Sequence, residues 1–587
     1  RMISAVRSLD PSSYSIHRSG LSRCAFIQSI SAPTLLSSLN TGVTMAYFIL
    51  KPVKQAKIGN SSRITNCQNQ RFHPRHHEIT IFVIHSASMG IIKRQSIKST
   101  LVVYFGMLLG YVNLLLLAPM ILSPEEIGLT KVLYDGSYML AVIAQLGLWS
   151  VATKFYSYFR DKESKDHGFL FNLTIFPIIG FLILSGLLLI FKQEFSSLFI
   201  QKSPLIVEYY YYFIPLIFIT MYYQVFETYS SLQMRIVVPN FLREVLNKLV
   251  FFVIIILLIA DLISFRLFID FYVLSFALSL LILVFYLKML KALHFRPDFR
   301  FITPALRKEI LIYWAFVFFG SLGAFAIARM DVIMLSSMSG LYFAGVYSIS
   351  YLLGNVIEVP RKAIAQISVP IISDAWKNNN IEKIREIYKK TSINQTIFTG
   401  YVFMLIWVNI DPILSLIPNS ELYVSGKYVA LFIGLARFID AATGVNTEIL
   451  MNSHKHYRFN LILLFMMGVL TVVLNYLLIP VLNMYGACLS VLIAVVLYNL
   501  FKFAFILHRW KMQPFSIHTL KIILLLSALT ALTYILPQHS NAIAQIFLLS
   551  VPLSLVFILL CYVLKISADF NELIRGSLKR VRALIRK

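Results

Sequence analysis

The chain has 587 residues, of which 58% are hydrophobic and 14% are charged, and its formal net charge is +26. Because soluble domains carry about 25% charged residues, this composition excludes a single water-soluble core and predicts an all-α polytopic membrane protein. The basic residues lie mostly in short segments between apolar runs, which indicates membrane topology and excludes a nucleic-acid partner.

Residues 1–88 differ from the rest of the chain. They are rich in Lys and Arg, contain only two acidic residues, Asp10 and Glu78, and have no run that would span a membrane. Met89 precedes a short basic segment and the first long apolar run, which is typical of the start of a bacterial membrane protein. We therefore expect a leader that is disordered or not native, and an Arg-rich transit peptide is the competing interpretation.

Groups that could ligate a metal are few in this sequence. His73, His76 and His77 lie close together in the leader, but they lack cysteine partners, which favours a disordered segment over a metal site. The four cysteines form neither a CxxC pattern nor a disulfide framework. We expect no metal and no cofactor.

From residue 100 onward, apolar runs follow one another, and each is close to the ~20 residues that cross a bilayer. They predict about 14 transmembrane helices, here called crossings one to fourteen. The runs lie near residues 100–122, 134–153, 169–191, 205–227, 245–263, 267–287, 310–335, 342–372, 393–417, 428–451, 459–481, 484–508, 519–536 and 543–564. Lys and Arg are concentrated in every second connecting segment, so both termini are predicted to be cytoplasmic.

The crossings divide into two sets of six, followed by two more. Crossings one and seven both have Phe-Gly near their start and similar exits, which predicts an internal repeat of the kind found in transporters. We predict an N-lobe at 89–288, a cytoplasmic linker at 289–309, a C-lobe at 310–508, and two further crossings with a basic cytoplasmic tail at 509–587.

Between crossings eight and nine, the segment SDAWKNNNIEKIREIYKK carries Ile381, Ile384 and Ile387 at a spacing of three among charged residues. This pattern predicts a helix that lies on the cytoplasmic membrane surface. Pro360 and Pro370 are expected to interrupt crossing eight, either as hinges or as ordinary kinks.

Charged residues inside the crossings concentrate in the second lobe, although each costs about 2.5–3.5 kcal/mol at mid-bilayer. Guanidinium groups match phosphate oxygens in pairs and stay charged when desolvated, so the basic residues are candidates for binding a diphosphate. Buried carboxyl groups are candidates for coupling transport to H⁺ or Na⁺. The predicted diphosphate ligands are Arg329, Arg361, Lys362 and Arg437, and the candidate coupling residues are Asp331, Glu358 and Asp440.

Structural ion pairs are the alternative interpretation of these residues. Glu358 and Lys362 lie one helical turn apart, as do Arg437 and Asp440, so each pair could form on one helix face. Lys502, near the inner end of crossing twelve, is expected to extend its ammonium group to the membrane interface.

The segment ARMDVIMLSSMSGLYFAGVYS, which runs from Ala328 to Ser348, is followed by AIAQISVPIISDAW and the charged amphipathic segment. Together these resemble the polysaccharide-biosynthesis flippases of the MOP superfamily, of the Wzx type, and the resemblance covers Met89 to Lys587. It implies two lobes around a V-shaped cavity, alternating access, and an undecaprenyl-diphosphate oligosaccharide as cargo. The family's basic cavity residues correspond here to Arg329 and, more loosely, to Arg361 and Arg437.

One departure from related families narrows the prediction. Crossing one carries no charge, whereas MurJ lipid II flippases carry arginines there and MATE-type multidrug antiporters use an aspartate there. The sequence therefore predicts a flippase for lipid-linked oligosaccharides that serve surface polysaccharides such as lipopolysaccharide O-antigen. A MATE-like cation-coupled multidrug exporter is the main alternative.

A membrane glycan polymerase or glycosyltransferase is the third alternative. Short outside loops and the absence of GxSxG, HExxH and P-loop patterns disfavour an enzyme. The expected partners are the polyprenyl-diphosphate-linked oligosaccharide, H⁺ or Na⁺, membrane lipids and other polysaccharide-assembly proteins. The expected location is the bacterial inner membrane.

Overall fold

Helices follow each of the predicted crossings in the computed structural model. The structure describes residues 98–99, 101–145, 147–161, 165–298, 301–453, 456–536 and 539–585. Within these ranges the side chains of residues 165, 316–317, 319–329 and 578–585 are not described. No strand occurs within these ranges. The predicted leader and its histidine cluster lie outside the described residues.

The first half of the chain contains the helices of crossings one to six. Helix α1 includes a π-helical stretch, Val112–Leu117, and α8 consists of three consecutive segments, the middle one also π-helical. The helices are α1 (Leu101–Ile121), α2 (Pro124–Ala144), α3 (Leu148–Phe159), α4 (Phe169–Ile190), α5 (Lys192–Phe199), α6 (Pro204–Glu208), α7 (Phe213–Leu232), α8 (Val237–Phe241, Leu242–Leu246 and Asn247–Ile259) and α9 (Phe265–Met289).

The second half contains crossings seven to fourteen and the tail. Three of these crossings consist of two helices each, because crossing eight divides into α11 and α12, crossing nine into α13 and α14, and crossing ten into α15 and α16. The helices are α10 (Pro304–Met338), α11 (Leu341–Asn355), α12 (Glu358–Lys377), α13 (Ile381–Val408), α14 (Ile410–Ser415), α15 (Lys427–Ala442), α16 (Asn446–Met451), α17 (Tyr457–Leu482), α18 (Met484–Trp510), α19 (Ile517–Thr533), α20 (Ala542–Val563) and α21 (Ala568–Ile585).

Seven of the described helices are long and apolar enough to cross a membrane: those of crossings one, two, three, six, eleven, twelve and fourteen. The helix of crossing thirteen, α19, is apolar but has 17 residues. The remaining crossings are divided, or carry charges, or include residues whose side chains are not described. These helices fit a polytopic membrane protein.

The second crossing begins about ten residues earlier than its hydropathy predicts. Ser123 accepts a hydrogen bond from the backbone N–H of Glu126, and the Glu126 carboxylate accepts one from the N–H of Ser123. Pro124 occupies the first helical position, where its missing N–H costs nothing. The capping box therefore fixes the start of α2, and the predicted run at 134–153 was misplaced because the acidic first turn lowered its hydropathy.

The amphipathic segment after crossing eight does not form a separate surface helix. Its first part completes α12, and its second part forms the first turns of α13, which continues into crossing nine. Ile384 and Ile387 are buried against Ala365 and Ile372 of α12. The prediction was wrong because the apolar face is buried by the protein itself and not by lipid.

The opposite face of these first turns of α13 is charged and exposed. Hydrogen bonds from Lys390 and Lys383 lower the pKa of Glu386 to about 2. These charges indicate that α13 begins outside the apolar region.

The prolines do not break crossing eight where the sequence predicts. The break lies at Val356 and Ile357, before α12 begins. Pro360 lies in the first turn of α12, where a proline is tolerated, and Pro370 lies within the continuous helix. The interruption therefore precedes both prolines.

Packing repeats between the two halves. In the first half α2 packs on α7, α7 on α9 and α8 on α9, and in the second half α11 packs on α15, α15 on α18 and α17 on α18. These helices occupy equivalent places in the order of crossings, which supports the predicted repeat.

The two halves contact each other closely at the predicted outer ends of their helices. Gly345 of α11 lies so close to the Pro124 carbonyl that an added Cβ would come within 1.9 Å of its oxygen. The Ser203 hydroxyl donates to the Ser336 carbonyl at 2.6 Å, and the Asn419 amide donates to the Pro119 carbonyl at 2.8 Å. The structure therefore holds the halves together on this side.

On the predicted cytoplasmic side, the connection between the halves is shorter than predicted. Helix α9 ends at Met289 and α10 begins at Pro304, after the N-cap residue Thr303. The connection packs on the first half, since Tyr229 donates to the Ala292 carbonyl at 3.0 Å.

Candidate functional site

The break in crossing eight places three charged side chains at the start of α12. Glu358, Arg361 and Lys362 all lie in its first two turns. The Lys362 ammonium lies 3.3 Å from the Glu358 carboxylate, which confirms the predicted pairing one turn apart. Lys362 is nevertheless 59% exposed, whereas the Glu358 side chain is 16% exposed.

The second predicted pairing, between Arg437 and Asp440, is replaced by contacts between helices. Arg361 Nε lies 2.9 Å from Asp440 Oδ2, which joins α12 to α15. Arg437 Nε lies 3.8 Å from Glu358 Oε2, and its Nη2 donates to the Tyr351 hydroxyl at 2.8 Å. Helix packing therefore exchanges the partners that spacing on a single helix suggests.

Crossing ten also contributes an acid that the sequence analysis did not single out. Glu448 lies on α16, after the break between α15 and α16, and its carboxylate is 3.8 Å from Arg361 Nη2. Arg361 thus lies between two carboxylates, of Asp440 at contact distance and of Glu448 at a longer one. Glu448 could have been found from the sequence only as an acid near the end of an apolar run.

Lys502 does not extend to the interface, and that prediction was wrong. Its side chain is 0% exposed, and its ammonium donates to Asn446 Oδ1 at 3.0 Å and to Thr447 Oγ1 at 2.8 Å. It also lies 4.0 Å from Asp440 Oδ1 and 3.8 Å from the centre of the Tyr498 ring. The break between α15 and α16 supplies the polar groups that hold this ammonium inside the bundle.

The Asp440 carboxylate is the centre of this network. Besides Arg361, it accepts a hydrogen bond from the Asn499 amide at 3.0 Å. Asn499 in turn accepts from Thr443 at 2.9 Å and from Asn446 at 3.0 Å. Asp440 therefore has partners from α12 and α18.

We call these seven charged residues the C-lobe cluster. Arg361 and Arg437 are 13% and 22% exposed, so neither guanidinium lies free in a chamber. Its basic members outnumber its acidic members by one, which leaves one formal positive charge. The cluster consists of Arg361, Lys362, Arg437, Lys502, Glu358, Asp440 and Glu448.

The other two predicted site residues lie on α10. The Asp331 side chain is 5% exposed and accepts a hydrogen bond from the Tyr347 hydroxyl of α11 at 2.5 Å. Arg329 lies on the same helix, but its side chain is outside the described residues. The structure thus brings five of the seven predicted residues into one cluster and gives Asp331 a different partner.

A second charged group, in the first half, was missed by the sequence analysis. Arg243 of α8 pairs with Glu227 of α7 and with Glu244, whose carboxylate lies 3.1 Å from Arg243 Nε and 3.1 Å from the Lys248 ammonium. The four charges sum to zero. The run R-E-x-x-x-K was assigned to a loop and a helix end because the predicted crossing began only at residue 245.

A cavity of about 360 Å³ opens beside this group, between the end of α2, the start of α3, α7 and the start of α8. A smaller cavity of about 20 Å³ shares four of its residues and continues toward Tyr134 and Tyr223. The larger cavity is lined by Tyr138, Val142, Gln145, Gly147, Leu148, Trp149, Ser150, Gln224, Glu227, Thr228, Ser231 and Arg243.

Comparison with known proteins agrees with this architecture. The model of the family described as polysaccharide biosynthesis protein matches residues 92–376. No curated protein matches the sequence significantly.

Solved structures of similar fold include a MurJ flippase and a MATE family transporter. The lipid II flippase MurJ in an inward closed conformation covers 80% of this chain and 100% of its own, with 15% identity and a TM-score of 0.59. An inward-facing multidrug resistance MATE family transporter of the MOP superfamily covers 69% of this chain and 94% of its own, with 15% identity and a TM-score of 0.52. At such identities the likeness shows the fold alone.

The repeated helix packing and these two likenesses define the fold of this chain as all-α and polytopic. The match to the polysaccharide biosynthesis family over residues 92–376 agrees with this fold. The resemblance seen in the sequence is thereby confirmed, and the predicted fold class with it.

Proposed function

We propose that this protein is a flippase that moves a polyprenyl-diphosphate-linked oligosaccharide from the cytoplasmic to the outer leaflet of the bacterial inner membrane. The C-lobe cluster binds the diphosphate, and the polyprenyl chain stays in lipid. Its product serves surface polysaccharide synthesis. The family match supports the cargo class, and the chain's own charges support the headgroup.

The observation that carries this proposal is the position of Arg361 between Asp440 and Glu448. Four bases and three acids in a membrane bundle are costly to maintain, and such groups usually mark a substrate or ion pathway. The contact with Glu448, at 3.8 Å, is long enough for a competing oxygen to replace it. A diphosphate would present paired oxygens to the guanidinium, for which bidentate geometry is optimal.

The remaining basic residues fit the same role. Lys362, which is 59% exposed, supplies a mobile positive charge beside the paired arginines. The excess of one positive charge attracts an anionic headgroup, while the acids prevent permanent retention of it. Arg329, on the neighbouring α10, remains a proposed fourth ligand.

Alternating access gives the proposed direction of transport. The contacts between the halves at Gly345, Ser203 and Asn419 close the predicted outer side, so the headgroup would reach the cluster from the cytoplasmic side. Release outward requires these contacts to separate. Coupling to H⁺ or Na⁺ would act through Asp440 or Glu358, because each shares its oxygens with bases that the headgroup would also contact.

Binding and transport of a defined lipid test this proposal. The full chain, reconstituted in liposomes, is given fluorescent undecaprenyl diphosphate in both leaflets, and a membrane-impermeant quencher reports its movement. We expect faster exchange of the lipid between leaflets than in protein-free liposomes. We also expect loss of this exchange in Arg361→Lys, which keeps the positive charge but loses the bidentate hydrogen bonding of the guanidinium. Arg385→Ala, which removes an arginine from an exposed ion pair on α13, is the matched control.

Exchange at the protein-free rate would overturn the proposal. The same assay with a lipophilic cation addresses the drug-exporter alternative. A drug exporter would need acidic residues of the first half to bind the cation, but Glu227 and Glu244 both pair with Arg243.

A further inference from the structure

We infer that the cavity between α2, α3, α7 and α8 is a saccharide subsite, which binds a sugar unit of the cargo while the C-lobe cluster binds its diphosphate. The inference rests on the proposed function, because it concerns the glycan of the same lipid. The cavity is defined above by its twelve lining residues, and its volume is about 360 Å³.

A buried amide without a partner points to a polar ligand. The Gln145 amide donates to Gln224 Oε1 at 2.9 Å, which fixes the orientation of the Gln224 side chain. Gln224 Nε2 is buried and has no hydrogen-bond partner among the described residues. An unsatisfied buried donor costs about 1–3 kcal/mol, and a hydroxyl oxygen in the cavity would satisfy it.

Further polar groups surround this donor. The Thr228 hydroxyl donates to the Gln224 backbone carbonyl at 2.7 Å, so the lone pairs of the hydroxyl oxygen remain able to accept. Ser231 is exposed at the cavity wall. Sugar hydroxyls both donate and accept, so a wall of amides and hydroxyls suits them better than it suits an apolar drug.

Aromatic side chains supply the second element of a sugar site. Tyr138 and Trp149 line the same cavity, and Trp149 is 61% exposed. A ring face of this kind packs against the C–H face of a sugar, while the polar edge of the ring system meets amides and hydroxyls. The cavity thus offers both an apolar wall and a polar wall.

Charge separates this cavity from the diphosphate site. Its acid and base, Glu227 and Arg243, pair with each other, so the pair leaves no net charge. A diphosphate would find no excess positive charge here, and a lipophilic cation no unpaired carboxylate. A neutral, hydroxyl-rich ligand is what remains favourable.

Affinity measurements on the full chain in nanodiscs test the subsite. The probes are bare undecaprenyl diphosphate and a panel that carries one hexose, one N-acetylhexosamine or one deoxyhexose on the diphosphate. We expect at least one sugar-bearing lipid to bind about tenfold more tightly than the bare lipid, a difference of ~1.4 kcal/mol. Gln224→Ala and Trp149→Ala should remove most of this gain and leave bare-lipid affinity unchanged. Gln193→Ala is the control and should change neither affinity, because Gln193 is exposed on α5 and does not line the cavity.

A labelling measurement separates failure of the subsite from failure of the proposed function. In a background with Cys24 and Cys67 replaced by Ser, Ser231→Cys is labelled with a maleimide. Sugar-bearing lipid, but not bare lipid, should slow this labelling. Equal affinity for bare and sugar-bearing lipids, or equal weakening of both by Gln224→Ala, overturns the subsite, whereas lack of bare-lipid binding overturns the diphosphate proposal.

Discussion

Arg361 on α12 and Asp440 on α15 are joined by an ion pair whose atoms lie 2.9 Å apart, although 79 positions separate them in the sequence. The pair connects two helices that each adjoin a break, α12 after Val356 and Ile357, and α15 before α16. Any ligand that competes for the Arg361 guanidinium therefore alters a contact between two interrupted crossings. This makes the pair the first target for experiment.

Removal of Arg361 should abolish transport and also destabilise the protein. Arg361→Ala leaves the Asp440 carboxylate without its nearest cation, a change that costs about 3–5 kcal/mol for a buried pair. Arg361→Lys should keep most of the stability and still lose transport. Thermal unfolding in detergent, together with the liposome exchange assay, distinguishes the two effects, and normal exchange in Arg361→Lys would contradict the proposed role.

Lys502 should be a stability residue whose cost depends on Asp440. Lys502→Met removes the ammonium but keeps the volume, so Asn446 Oδ1 and Thr447 Oγ1 each lose the hydrogen bond that the ammonium donates. We expect a loss of about 1–3 kcal/mol, and a smaller loss in the presence of Asp440→Asn. A double-mutant cycle measured by thermal unfolding gives the coupling. Strict additivity would show that the ammonium and the carboxylate do not interact.

Gly345 should be required for closure of the outer side. A Cβ at this position would come within 1.9 Å of the Pro124 carbonyl oxygen, which is backbone and moves only if α2 and α11 separate. Gly345→Ala should therefore shift the protein toward an outward-open state, seen as a longer spin-label distance between the outer ends of α2 and α11. Gly186→Ala is the matched control, because nothing lies within 4 Å of its Cβ.

The start of α2 should depend on its capping box. Ser123→Ala removes the side chain that accepts from the Glu126 N–H, and we expect a loss of about 1 kcal/mol. Ser197→Ala, on the short exposed helix α5, provides a comparison, because its hydroxyl only donates to the Glu194 carbonyl one turn earlier. A drop in melting temperature for Ser123→Ala that does not exceed that of Ser197→Ala would contradict the assignment.

The sequence by itself determined the all-α polytopic fold class and identified most of the residues in the C-lobe cluster. Hydrophobic runs must match the bilayer thickness, and charges inside them are rare enough to be conspicuous. Even the misplaced start of α2 was encoded locally, in the capping residues Ser123 and Glu126. These properties depend on neighbours in the chain and therefore survive in the linear sequence.

Only the tertiary structure decided which charges meet. Spacing on one helix suggested that Arg437 pairs with Asp440. In the structure α12 packs against α15, and Asp440 pairs with Arg361 instead. The polar groups at the break after α15 bind the Lys502 ammonium inside the bundle. The cavity of the first half likewise arises from α2, α3, α7 and α8, whose lining residues do not stand out in the sequence. Contacts between distant segments depend on how each helix is rotated and on its register along its neighbours. A membrane helix that is apolar on all sides does not show in its sequence which face packs on which neighbour.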